Sequence, residues 1–117
     1  MLTLPIKRQW YDMIVSGQKL EEYREPDYWL PRLKKEAIKQ FGIGKTGFDG
    51  VKVRIRAGYR VDSPTAILTL EYAVLAPGFA EWGAVPGVEY LVLRIRKVEQ
   101  LRPVKEQLLH AAGLISK

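Results

Sequence analysis

The chain has no cysteine and one histidine, and these two shortages remove much of the usual catalytic repertoire. Without cysteine there is no disulfide, no thiolate nucleophile and no cysteine-rich zinc site, and a zinc-dependent base deaminase is excluded. The one histidine, His110, falls in a C-terminal segment that reads as structural, so RNA cleavage by a histidine pair is ruled out. Asp12, Asp27, Asp49 and Asp62 lie scattered in different local contexts, which gives no support for a two-metal carboxylate cluster. No metal and no cofactor is expected. No apolar run approaches the roughly 20 residues of a membrane helix. The start Met1-Leu2-Thr3-Leu4-Pro5 is too short, and too soon broken by proline, for a signal peptide. A cytoplasmic protein with no membrane partner is the expectation.

With 117 residues, 47% of them apolar, the chain can form one core, and residues 1–117 are read as a single domain. Nineteen Lys and Arg against thirteen Asp and Glu leave a net charge of +6. Such a surface attracts polyanions, although a small domain also carries this much charge for solubility alone. Where the charges stand therefore matters more than their sum.

Residues 2–6 read as a short strand. Gln9 to Ser16 read as a helix with Trp10, Met13 and Ile14 at core-facing spacing and Gly17 as its stop. A strand from Lys19 to Glu25 ends before Pro26, and Asp27 is a good N-cap for a helix from Tyr28 to Phe41 that turns Leu33 and Ile38 inward. Four glycines between Gly42 and Gly50 make a flexible basic loop whose spacing does not match a nucleotide-triphosphatase phosphate loop. Val51 to Arg56 alternates cleanly, with Lys52, Arg54 and Arg56 opposite the apolar face. Thr65 to Leu75 is apolar on both faces and reads as a central strand. Glu89 to Leu101 places Arg94 and Arg96 opposite Leu91, Leu93 and Ile95, and a last helix runs from Pro103 to about Ala112. Short strands with inserted helices and no βαβ repeat predict an α+β domain built on a small open β-barrel with flanking helices.

Chemistry concentrates in Gly17-Gln18-Lys19-Leu20-Glu21-Glu22-Tyr23-Arg24. In an extended chain Leu20, Glu22 and Arg24 share one face and Lys19, Glu21 and Tyr23 the other, while the turn after Gly17 brings Lys19 round toward Glu22 and Arg24. A Lys-Glu-Arg cluster suits an anion and a proton transfer beside it; the plainer alternative is a self-paired, solvated charge run. If the two basic strands share a side, Lys52, Arg54, Arg56, Arg94 and Arg96 form a cationic field that an anionic partner relieves. Trp29, Tyr59, Trp82 and Tyr90 are candidate stacking surfaces for unpaired bases, with core packing as the alternative for each.

The pattern Gly17-x-Lys19-x-x-Glu22-x-Arg24 resembles the signature of the ASCH domains, a branch of the PUA-like barrels. Leu4-Pro5-Ile6-Lys7 through Trp10-Tyr11-Asp12-Met13-Ile14 is similar to that family's opening strand and helix. Glu81-Trp82-Gly83-Ala84 with Gly87 and Tyr90 is similar to a turn and strand of its phage and bacterial group. The resemblance implies a PUA-like barrel whose cleft engages RNA or a modified nucleotide; joined to the charge and stacking readings above, it makes Arg24, Arg54, Arg56, Tyr59, Trp82 and Tyr90 the candidate residues for binding RNA, single-stranded by preference, or a nucleotide. It also implies a possible ribonuclease, with Lys19 and Glu22 as the catalytic pair: Lys19 and Arg24 hold the phosphate and Glu22 shuttles a proton from the 2′-hydroxyl. A further family activity, hydrolysis of the acetyl amide on modified cytidine, uses a threonine three residues after the motif lysine. Here that position is Glu22, which removes the hydroxyl nucleophile.

Overall fold

Alternation and punctuation in the sequence become five strands and two helices in the computed structural model, which describes residues 1–101; the helix expected from Pro103, with His110, lies outside the described residues. In chain order they are β1 (Thr3–Pro5), α1 (Arg8–Val15), β2 (Glu21–Arg24), α2 (Pro26–Phe41), β3 (Lys52–Arg56), β4 (Thr65–Pro77) and β5 (Glu89–Leu101), with a 3₁₀ turn at Ala80–Trp82. One sheet in the order β1-β3-β4-β5-β2 curls into a half-barrel, which makes the domain α+β. Only β1 and β3 run parallel. No helix among the described residues is long and apolar enough to cross a membrane.

Val51, just before β3, and Val53 and Ile55 on it lie in the core, with Ala66, Leu68 and Leu70 beside them on β4 and Leu91, Leu93 and Ile95 on β5. β4 is central, as its two apolar faces require: β3 flanks its first half and β5 its whole length. The register between β4 and β5 shifts on either side of Leu70, where Glu71 and Arg96 are the residues left without a direct partner.

Three local expectations change. The N-cap of α2 is Glu25 rather than Asp27: its carboxylate accepts from the backbone N–H of Asp27 and of Tyr28, each at 2.8 Å, so the helix starts two residues early with Pro26 at its first position. Ile38 is exposed, and Glu36 and Ala37 share the inner face with Leu33 instead. The motif strand is only Glu21–Arg24. Gly17 leaves α1 at φ +84°, and the N–H groups of Gln18 and Lys19 both fold back onto Met13 O at 2.9 Å, which holds Lys19 short of the strand.

Helix α2 packs Leu33 and Ala37 into the core beside the sheet and uses polar side chains as well as apolar ones to hold the chain at β1 and β3. The buried Glu36 carboxylate accepts from Leu2 N at 3.0 Å and from Gln40 Nε2 at 2.6 Å. Gln40 in turn pairs with both backbone groups of Lys52, accepting from its N–H at 2.9 Å and donating to its C=O at 2.7 Å. Glu36→Ala leaves these donors without an acceptor and is expected to cost about 1–3 kcal/mol in urea unfolding, whereas Glu36→Gln keeps an acceptor for Leu2 N and costs less.

Candidate functional site

Arg24 stands on β2, at one edge of the curled sheet, and reaches across to β1 at the other. Its Nη2 donates to Pro5 O at 2.8 Å and to Glu22 Oε2 at 2.5 Å, and its Nε donates to the same Oε2 at 2.9 Å. Glu22 and Arg24 share a face because they are two residues apart on a strand, as the alternation requires. The Arg24 guanidinium also lies 5.3 Å from the Trp29 ring centroid, so Trp29 backs the arginine instead of standing free to stack on a ligand.

Lys19 completes the cluster from behind. Its ammonium lies 3.1 Å from Glu22 Oε1 and donates to Glu21 O, a carbonyl that points away from β5 on the open edge of β2. The Tyr23 and Trp10 rings lie 4.7 and 5.7 Å from Nζ. Only 1% of Lys19 is exposed, so it does not reach a ligand in the way a phosphate-holding lysine requires. Desolvation pushes its pKa below the ordinary lysine value, and the neighbouring Glu22 carboxylate offsets part of that fall.

In front of this cluster lies a cleft of about 270 Å³, lined by Pro5, Lys7, Trp10, Glu22, Tyr23, Arg24, Trp82 and Tyr90 among others. Two tyrosines hold the loop that carries Trp82. Tyr23 OH donates to Glu21 Oε1 at 2.8 Å and accepts from Phe79 N at 3.0 Å; Tyr90 OH accepts from Val85 N at 2.9 Å. Burial, with the Glu21 carboxylate as a second cause, raises the Tyr23 pKa, so the phenol stays a donor. Gly78 permits this anchoring, because a Cβ there meets the Tyr23 ring at 2.6 Å. Gly83, at φ +101°, lies against the indole of Trp10: a Cβ there meets the ring at 3.0 Å. Phe79 packs edge-on to Trp82 with ring centroids 5.1 Å apart.

The sequence-derived candidates thus divide. Glu22, Arg24, Trp82 and Tyr90 line the cleft and Lys19 supports it, whereas Arg54, Arg56 and Tyr59 are not among the lining residues. Arg54 and Arg56 lie on the face of β3 opposite the core, and Tyr59 sits 88% exposed in the turn after it. Arg94 and Arg96 do not join them as free cations, since Arg94 pairs with Glu21 at 3.5 Å and Arg96 with Asp49. Trp10, Tyr23 and Lys7 are cleft residues that sequence reasoning passed over. Trp10 sits at core spacing on α1, so periodicity alone assigns it to the interior; its place one turn from the strand that carries Pro5 was the available signal.

Removing Lys19 strips a cation from a buried carboxylate and leaves a void. Lys19→Ala is expected to cost about 2–5 kcal/mol in chemical unfolding, and Lys19→Met, which keeps the volume, less. Because the native pKa lies below the unfolded one, this site's contribution rises as pH climbs toward the ordinary lysine value and is lost as pH falls through the lowered one. The stability of the wild type relative to Lys19→Met should therefore increase as pH rises toward the ordinary lysine value of about 10.4.

No protein-family model, curated protein or solved structure matches the chain.

Proposed function

We propose that the chain is a cytoplasmic RNA-binding domain of the ASCH, PUA-like kind, whose cleft takes one unpaired base or modified nucleotide at a time. The observation that carries this reading is the lining itself: Trp10, Trp82, Tyr23 and Tyr90 stand with Lys7 and Arg24 around about 270 Å³. That volume is at the small end of ligand clefts, suited to a single base and not to a continuous strand. Aromatic rings offer a stacking surface to any base, and two cations beside them suit its phosphate. The motif resemblance points the same way.

Binding is favoured over catalysis by the state of Glu22. One of its oxygens faces Lys19 and the other accepts twice from Arg24, so the carboxylate is held between two cations, which favour its charged form. A proton shuttle has to take up the substrate's proton and lose that charge, which the two flanking cations oppose. No serine or threonine is among the lining residues, which leaves an amide hydrolase without a hydroxyl nucleophile of the expected kind.

Titration of labelled single-stranded RNA at two salt concentrations, in the presence of a strong chelator, tests the proposal. Binding should be micromolar or weaker, with a shallow salt dependence because one cleft contacts few phosphates. Trp82→Ala should weaken it about 5- to 150-fold, the worth of one stacked base. Lys7→Ala should flatten the salt dependence, and Tyr59→Ala should change neither. Unaltered binding by Trp82→Ala sinks the cleft reading. Cleavage to 2′,3′-cyclic ends that disappears in Glu22→Gln replaces the binding module with a ribonuclease.

A further inference from the structure

Strand β4 outruns its neighbour. The last contacts on its β3 side are Leu70 N to Val51 O and Gly50 N to Leu70 O, each at 2.9 Å, and β3 pairing ends at Thr69. From Glu71 to Pro77 only β5 flanks it among the described residues. The direction of each backbone group follows from the other side of β5. Ile95 N donates to Leu20 O on the β2 side, so Leu93 and Leu91 also point toward β2, and Arg94 and Val92 point toward β4. Tyr72 and Val74, their partners, are therefore bonded inward, while Ala73 and Leu75 turn their N–H and C=O outward. Among the described residues neither has a hydrogen-bond partner on that side. Tyr72, Val74 and Leu75 are 39%, 44% and 49% exposed. The devices that usually blunt a strand edge, a lysine or a central proline, are missing between Tyr72 and Ala76.

We propose that this edge pairs antiparallel with the same edge of a second copy of the chain, joining two half-barrels through one continuous sheet. A second copy fits because the segment from Tyr72 to Pro77 carries no charged side chain, so two molecules of net charge +6 meet there without like charges opposed. The outward groups also fix the register. Ala73 of each copy pairs with Leu75 of the other, which satisfies all four open N–H groups, and the two-fold axis passes beside Val74. The two Val74 residues then face each other as a non-hydrogen-bonded pair, with Cα atoms about 4.5 Å apart. Tyr72 lies opposite Ala76 of the second copy on the same face.

That register is testable because the chain has no cysteine of its own. A Cα separation of about 4.5 Å is within disulfide range, so Val74→Cys should give a covalent dimer on mild oxidation. Ile43→Cys, 89% exposed in the glycine-rich loop, should not. Sedimentation of the full wild-type chain should show a monomer–dimer equilibrium, and Val74→Lys, which sets two ammonium groups face to face, should weaken it about tenfold or more. A Val74→Lys chain with an unchanged melting temperature and unchanged dimerisation overturns the proposal. So does a wild type that stays monomeric into the millimolar range, or a Val74→Cys chain that crosslinks no faster than Ile43→Cys.

Discussion

A buried carboxylate shared between two cations holds the two ends of this sheet in place. Glu22 takes Lys19 on one oxygen and Arg24 on the other, and Arg24 carries the connection on to the Pro5 carbonyl of β1. Ion pairs of this kind contribute little net stability, because desolvation of each charge cancels most of the Coulomb gain. Their worth lies in geometry. A half-barrel has two free edges whose separation nothing in the ladder fixes, and a planar, forked guanidinium sets that separation more sharply than a lysine on a flexible stem. The same interaction shapes the cleft, because Pro5 and Arg24 are two of its walls.

Charge arrangement and chain direction explain which parts of this were legible in the sequence. Alternation revealed β3, and the composition of β4, apolar on both faces, revealed its central position, although only its first half is buried. The grouping of Lys19, Glu22 and Arg24 was legible because strand alternation and a glycine-ended helix both act within a few residues. What could not be read was depth. A run of charged residues looks solvated, yet Lys19, Glu21 and Glu22 are all buried, because each finds its counter-charge within the cluster or on Arg94. Arg54 and Arg56 stand apart from the cleft for a related reason: alternation shows that they leave the core, but not which way the sheet curls beneath them.

Trp10 shows the limit of periodicity from the other direction. An apolar stripe on a short helix reads as core; of Trp10, Met13 and Ile14 on α1 only Ile14 is fully buried, and Tyr11, outside that stripe, is buried beside it. Trp10 stands at the margin of that stripe, with part of its ring against Gly83 and the rest in the cleft. A large ring at a stripe margin serves packing and recognition together, and helical spacing does not distinguish the two.

The parallel pairing of β1 with β3 has a consequence for how the cleft comes into being. Thr3 has to wait for Arg54, and Leu2 for Glu36, before β1 has any partner at all. Every other pairing of the sheet joins antiparallel strands, and the longest of them, between β4 and β5, closes over a single connecting loop. Contacts distant along the chain are slow to form, since loop closure must precede any gain from them. The pairing of β2 with β5, which sets Glu21 against Arg94, spans a longer stretch of chain still, so both edge strands dock late and the cleft walls at Pro5 and Arg24 are completed only once the inner strands exist to receive them.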